Sequence, residues 1–199
     1  MKELLIALIT LMVGFFLGQY QEKRVSQRKS RELKNKLFRL IQDLEYRRQK
    51  DLESVNSAFS NLLLRERRLL KNNENVSVHL PRRIEVEAIK DTFEQVAVEL
   101  PLGCREGIRV LIEAATELNI RLQATQSIPP QQLSSNDLLG VHCQIFPYGY
   151  IVHQLSELRE RYVLPKTPLQ ELIESSSKAF GFFFHPDEII EDYLSRTKN

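Results

Sequence analysis

Three regimes of hydrophobic patterning succeed one another along the chain. Residues 4–18, LLIALITLMVGFFLG, are uncharged and almost wholly apolar. From Gln19 to Leu80 apolar residues recur every three or four positions, with no Gly or Pro to interrupt them. From Pro81 onward the pattern divides into shorter stretches separated by Pro, Gly and Ser.

The middle regime predicts one long helix. Leu33, Leu37, Leu40 and Leu44 step by four, three and four, like the a/d seam of a coiled coil. After an eight-residue gap Leu52, Val55, Phe59, Leu62, Glu66 and Leu69 resume the spacing, displaced by one position. A helix turning at its natural 3.6 residues absorbs that displacement. Asn72-Asn73-Glu74-Asn75 is a suitable stop, because Asn tolerates a left-handed cap. Such an arm of roughly 50 residues would be about 75 Å long.

In the third regime Ile84, Ala88, Ile89, Phe93, Val96 and Leu100 repeat at helical spacing, as do Ile108, Leu111, Ile112, Ala115, Leu118 and Leu122. With Pro101-Leu-Gly103 between them they read as a helical hairpin. A rival reading exists, since RIEVEAI and QVAVEL alternate at period two and Asn119 could end a helix ahead of a strand, IRLQAT. Residues 127–136 are the clearest loop. The segment GVHCQIFPYGYIVHQL reads either as two short helices broken at Pro147 or as a β-hairpin turning at Pro147-Tyr148-Gly149. Thr167 is the expected cap of a further helix, with Pro168 at its first position and Gln170 completing a capping box. A last helix is expected from Pro186 to about Arg196.

The expected fold is therefore mainly α, with an α+β body as the alternative. Residues 1–20 would be a transmembrane anchor, 21–75 a basic helical or coiled-coil arm, and 76–199 an acidic, mainly helical domain. The reading of 1–20 rests on charge as much as on hydropathy. Cleavage after Gly18 would put Phe16 at the −3 position, and cleavage after Gly14 would put Met12 there, both too large for signal removal. Eight basic residues follow, Lys23, Arg24, Arg28, Lys29, Arg31, Lys34, Lys36 and Arg39, against Glu22 and Glu32. That bias predicts a single-pass signal-anchor with the body in the cytoplasm. Lys23, Arg24, Arg28, Lys29 and Arg31 would meet anionic lipid headgroups. Ala7, Gly14 and Gly18 share a helix face, and Gly14-Phe-Phe-Leu-Gly18 is a GxxxG through which two copies could form a homodimer.

The overall net charge of +2 conceals an asymmetry: residues 1–71 hold 16 Lys/Arg and 8 Asp/Glu, leaving 12 and 18 for the remainder. Aromatics are sparse in the basic arm, residues 21–75 (Phe38, Tyr46, Phe59), which argues against nucleic acid as the partner. No Walker, HExxH or GxSxG pattern occurs, and no cofactor or metal is implied. Two cysteines, Cys104 and Cys143, are read as unpaired thiols. If residues 141–154 were a hairpin, Cys143 would lie opposite His153, a geometry that could activate the thiol. The aromatic run Phe180-Gly-Phe-Phe-Phe184 is expected to plug the core. The function these features favour is a scaffold or adaptor that presents a helical protein-binding domain to an unidentified partner near the bilayer. The alternative is a membrane-tethered enzyme using Cys143 and His153.

Overall fold

The computed structural model describes residues 2–70 and 78–197 of the chain, and every regular element in them is helical. The helices are α1 (Lys2–Glu66), α2 (Glu87–Val96), α3 (Leu102–Gln126), α4 (Ser135–Leu158), α5 (Leu169–Ala179) and α6 (Pro186–Thr197). Single 3-10 turns at Ala97–Glu99 and Arg159–Arg161 follow α2 and α4. The fold is mainly α, as its helical periodicities require, and the α+β alternative falls away among the described residues.

The long helix is present, but it is more than an arm. Leu37, Ile41, Leu44, Leu52, Val55, Phe59 and Leu62 are all buried, and α1 packs chiefly against α4, which also carries α3 on another side. The eight-residue gap in the leucine spacing is occupied by Arg48, whose side chain is only 11% exposed. Its Cγ approaches Gly149 of α4, where an added Cβ would lie 3.5 Å away. Steps of four from Leu44 to Arg48 to Leu52 therefore keep one stripe facing α4. The stripe ends at Glu66, earlier than the Asn-rich stop, which lies outside the described residues. Arg68 takes a left-handed φ of 53° there, and the Leu69 amide donates to the Leu64 carbonyl at 2.9 Å. This is a Schellman closure built without glycine.

The period-two run RIEVEAI proves to be half right. Ile84 and Val86 are buried and Glu85 is exposed, so the alternation is real, yet no strand pairs with it. Instead Asn119 of α3 holds it: the Ile84 amide donates to Asn119 Oδ1 at 2.8 Å, and Asn119 Nδ2 donates to the Ile84 carbonyl at 2.9 Å. One side-chain amide supplies the two bonds a neighbouring strand would give. Asn119 thus sits inside a helix that continues to Gln126 rather than ending it.

Residues 141–154 form neither a hairpin nor two helices. They belong to α4, which runs through Pro147 unbroken. Proline costs the Cys143 carbonyl its helical donor, but residues 145–149 are buried against their neighbours, and that packing outweighs the loss. Ser134 and Asp137 close a capping box at the start of α4. Glu66 of α1 adds a second cap, accepting from the Ser135 amide at 2.6 Å and from its hydroxyl. At α5 the N-cap position is Pro168 without a side-chain cap bond, rather than Thr167; the Gln170 side chain lies outside the described residues.

The transmembrane anchor is not supported. Among the described residues no helix is long and apolar enough to cross a membrane. The physical reason is length: the apolar run Leu4–Gly18 is 15 residues, short of the about 20 that a span needs, and an 18-residue stretch from Leu11 takes in Glu22, Lys23, Arg24 and Arg28. This finding overturns the expected single-pass placement and the signal-anchor with it.

Candidate functional site

Two surfaces stand out once the core is assigned. The first is the start of α1. Every residue from Leu11 to Lys29 is exposed, and the first ties to the body come at Ser30, whose hydroxyl donates to the Glu99 carboxylate, and at Lys34, whose Nζ donates to the Glu99 carbonyl at 3.0 Å. Nineteen residues at 1.5 Å rise make a projection of about 28 Å. Its tip is apolar around the whole circumference, with Leu11 76%, Phe15 61%, Phe16 61%, Leu17 56% and Tyr20 53% exposed. Gly14 and Gly18 have open space where a Cβ would stand, while the Ala7 side chain lies outside the described ones. Below the tip comes a basic collar of Lys23, Arg24, Arg28, Lys29 and Arg31, all exposed. Arg24 lies over the Tyr20 ring at 4.6 Å, and Arg28 pairs with Glu32 at 3.0 Å.

The second surface is a cleft of about 920 Å³ between α1 and the irregular segment 78–86. Arg47 and Lys50 of α1 face Arg82 and Arg83 across it, with Tyr46 at the rim and Asp51 in the wall. Asp51 is only 8% exposed, and Arg47 reaches it loosely, at 3.9 Å. Burial raises the Asp51 carboxyl above its ordinary value, with Arg47 and Lys50 opposing that shift. A shallower hollow of about 350 Å³ shares Lys50, Ser54 and His79 with the cleft and continues it along α1 to Asn61. Neither surface was anticipated as a site except through the glycines and the basic collar. The cleft joins residues 25 or more positions apart, and its signal, Arg82-Arg83 beside a buried alternation, is faint in one dimension.

The Cys143–His153 arrangement does not form. Both residues are on α4, ten positions apart, which is about 15 Å of helical rise. His153 Nδ1 lies 3.0 Å from Glu45, whose other oxygen takes the Arg48 Nε–H at 2.7 Å. Phe180 roofs this cluster, with the Arg48 guanidinium 4.3 Å from its ring centre and the His153 ring edge-on at 6.3 Å. Burial pushes the Cys143 thiol up, against a smaller pull from Arg121, and pushes the Cys104 thiol up to about 11. Both cysteines are free, and neither is a ready nucleophile.

His142 is the fully buried member of the four histidines. Its ring stacks on Phe59 at 4.2 Å and meets Phe146 edge-on at 5.1 Å, and its Nε2 lies 3.3 Å from the Phe184 carbonyl. Its Nδ1 is buried with no hydrogen-bond partner. Burial lowers its pKa to about 4, the Phe184 carbonyl opposing the shift. A neutral imidazole locked among aromatic rings is a core element. The Phe180–Phe184 run divides accordingly: Phe180, Phe182 and Phe184 pack on the core, while Phe183 is 37% exposed. Among the described residues no group of three or more His, Cys, Asp or Glu is placed to hold a metal ion. Comparison with protein-family models, with curated proteins and with solved structures finds no match.

Proposed function

We propose that the protein is a non-enzymatic docking protein, a helical body from which the start of α1 stands out to engage apolar helices of a partner. The observation that carries this reading is the tip of α1, apolar on every side from Leu11 to Leu17 and followed by residues that stay exposed as far as Lys29. Helices apolar all round are found buried, and large exposed apolar patches mark interaction sites. Full burial of one such side chain contributes about 1.5–3 kcal/mol, so a partner that covers even three of them gains an appreciable part of a docking free energy. The body's role is to hold α1 rigidly: the stretch from Leu33 to Leu63 forms one wall of the core.

Photo-crosslinking tests the reading directly. Benzoylphenylalanine placed at Phe16 of the full chain, irradiated in its own cells, is expected to give adducts of discrete mass. The same group at Thr116, exposed on α3, is expected to give none. Absence of adducts from position 16, or an equal pattern from position 116, would overturn it.

A further inference from the structure

The cleft between α1 and residues 78–86 has the dimensions and charge of a peptide site, and we infer that it binds an extended acidic segment of a partner protein. The inference deepens the docking reading by giving the partner a chemistry, and rests on it only in taking the ligand to be protein.

Geometry comes first. The cleft and its shallower continuation run along α1 from Tyr46 to Asn61. Fifteen helical positions correspond to about 22 Å, the length of roughly seven residues of extended chain at 3.3 Å each. Charge comes second. Arg47 and Lys50 on one wall and Arg82 and Arg83 on the other present four cations, against Asp51 and Glu85 in the cleft and Glu53 in its continuation. Among the described residues Lys50, Arg82 and Arg83 form no hydrogen bond or ion pair, so their donors are ready for a ligand carboxylate. Tyr46, 91% exposed at the rim, offers the kind of amphipathic ring that anchors interfaces.

The carboxylates decide between a peptide and a nucleic acid. Asp51 is buried in the wall between the cations, and Glu85 lies on the opposite side. A polyphosphate laid along the cleft would pass close to both, at a like-charge cost it could not avoid. A peptide can set its acidic side chains on the arginines and leave a neutral residue opposite Asp51. The cleft therefore discriminates by spacing of charge as well as by sign.

Fluorescence anisotropy on the full chain tests this with three labelled probes: an octapeptide of alternating glutamate and serine, its glutamine twin, and octathymidylate. The glutamate peptide is expected to bind saturably, weakening as salt rises, and the glutamine twin to bind at least tenfold more weakly. The double substitution Arg82→Glu, Arg83→Glu is expected to weaken the glutamate peptide at least tenfold with an unchanged Tm, since both side chains are exposed. No saturable binding, equal binding by the double variant, or octathymidylate binding as tightly as the peptide would each overturn the inference. Adducts from position 16 persisting alongside any of those results would remove the cleft and leave the docking reading standing.

Discussion

Titration of His142 provides a quantitative test of how the core is assembled. The imidazole is fully buried between Phe59 and Phe184, and burial holds its pKa at about 4 against 6.5 when unfolded. A histidine whose folded pKa is depressed costs nothing well above pH 6.5. As pH falls through 6.5 the unfolded chain takes up a proton that the folded protein refuses, and stability falls until the pH reaches about 4. The full loss is on the order of 3 kcal/mol, of which about 2 kcal/mol is already spent at pH 5. Carboxylates titrate in the same range, so the wild type must be compared with a variant that cannot protonate. His142→Phe keeps the stacked ring and forfeits the Nε2–H donated to the Phe184 carbonyl, at a cost of about 1–2 kcal/mol near neutrality. Urea unfolding at pH 7 and pH 5 should show the wild type losing about 2 kcal/mol more than the variant between the two, bringing them level near pH 5. Parallel losses in the two proteins would refute the burial of His142 as an uncharged core residue.

Other predictions bear on single contacts. A Cβ on Gly107 would lie 2.3 Å from the Tyr162 ring, so Gly107→Ala should cost about 1–3 kcal/mol by overpacking; a calorimetric Tm within a degree of wild type would contradict that close approach. Asn119→Ala leaves the amide and carbonyl of Ile84 without partners and should cost about 2–4 kcal/mol in urea unfolding. A loss below about 0.5 kcal/mol would mean the clamp carries no stability. Glu66→Ala removes the carboxylate that α1 places on the first amide of α4, and a loss of about 1 kcal/mol is expected by the same assay. No change on that substitution would mean Ser134 and Asp137 suffice as the cap.

Much of the helical content was legible because local signals agreed with it. The unbroken run from Gln19 and the three-and-four spacing both describe α1, and the pattern failed only where Arg48 took an apolar position opposite Gly149. That substitution was invisible in one dimension, since nothing near Arg48 in sequence shows that Glu45 and Phe180 would satisfy it. The period-two alternation at 83–89, the rival strand reading, holds only for the burial of Ile84 and Val86, because α2 begins at Glu87 and the polar partner of Ile84 is a single asparagine amide 35 positions on. Pro147 misled because proline weighs heavily as a breaker in isolation, whereas here burial on both sides keeps α4 whole. Glycine spacing drew attention to Gly14 and Gly18, which meet nothing, rather than to Gly103 and Gly107, against which Tyr162 packs. The apolar start resembles a span because the flanking charge has the right sign, but charge does not make up for missing length. Neither the cleft nor the core position of His142 could be read without the path of α1 beside residues 78–86 and the return of Phe184 over α4.

On the proposed reading residues 1–29 serve association while the body folds on α1 from Ser30 onward. Deleting residues 1–29 and measuring both Tm and adduct formation tests it most directly, with the photo-reactive group moved to Tyr46 in the shortened and full-length chains. The expected result is a Tm within about 2 °C of the full chain, with partner adducts from position 46 lost or sharply reduced because the apolar tip no longer holds the partner. A Tm that falls by 10 °C or so, or adducts that persist undiminished, would contradict it.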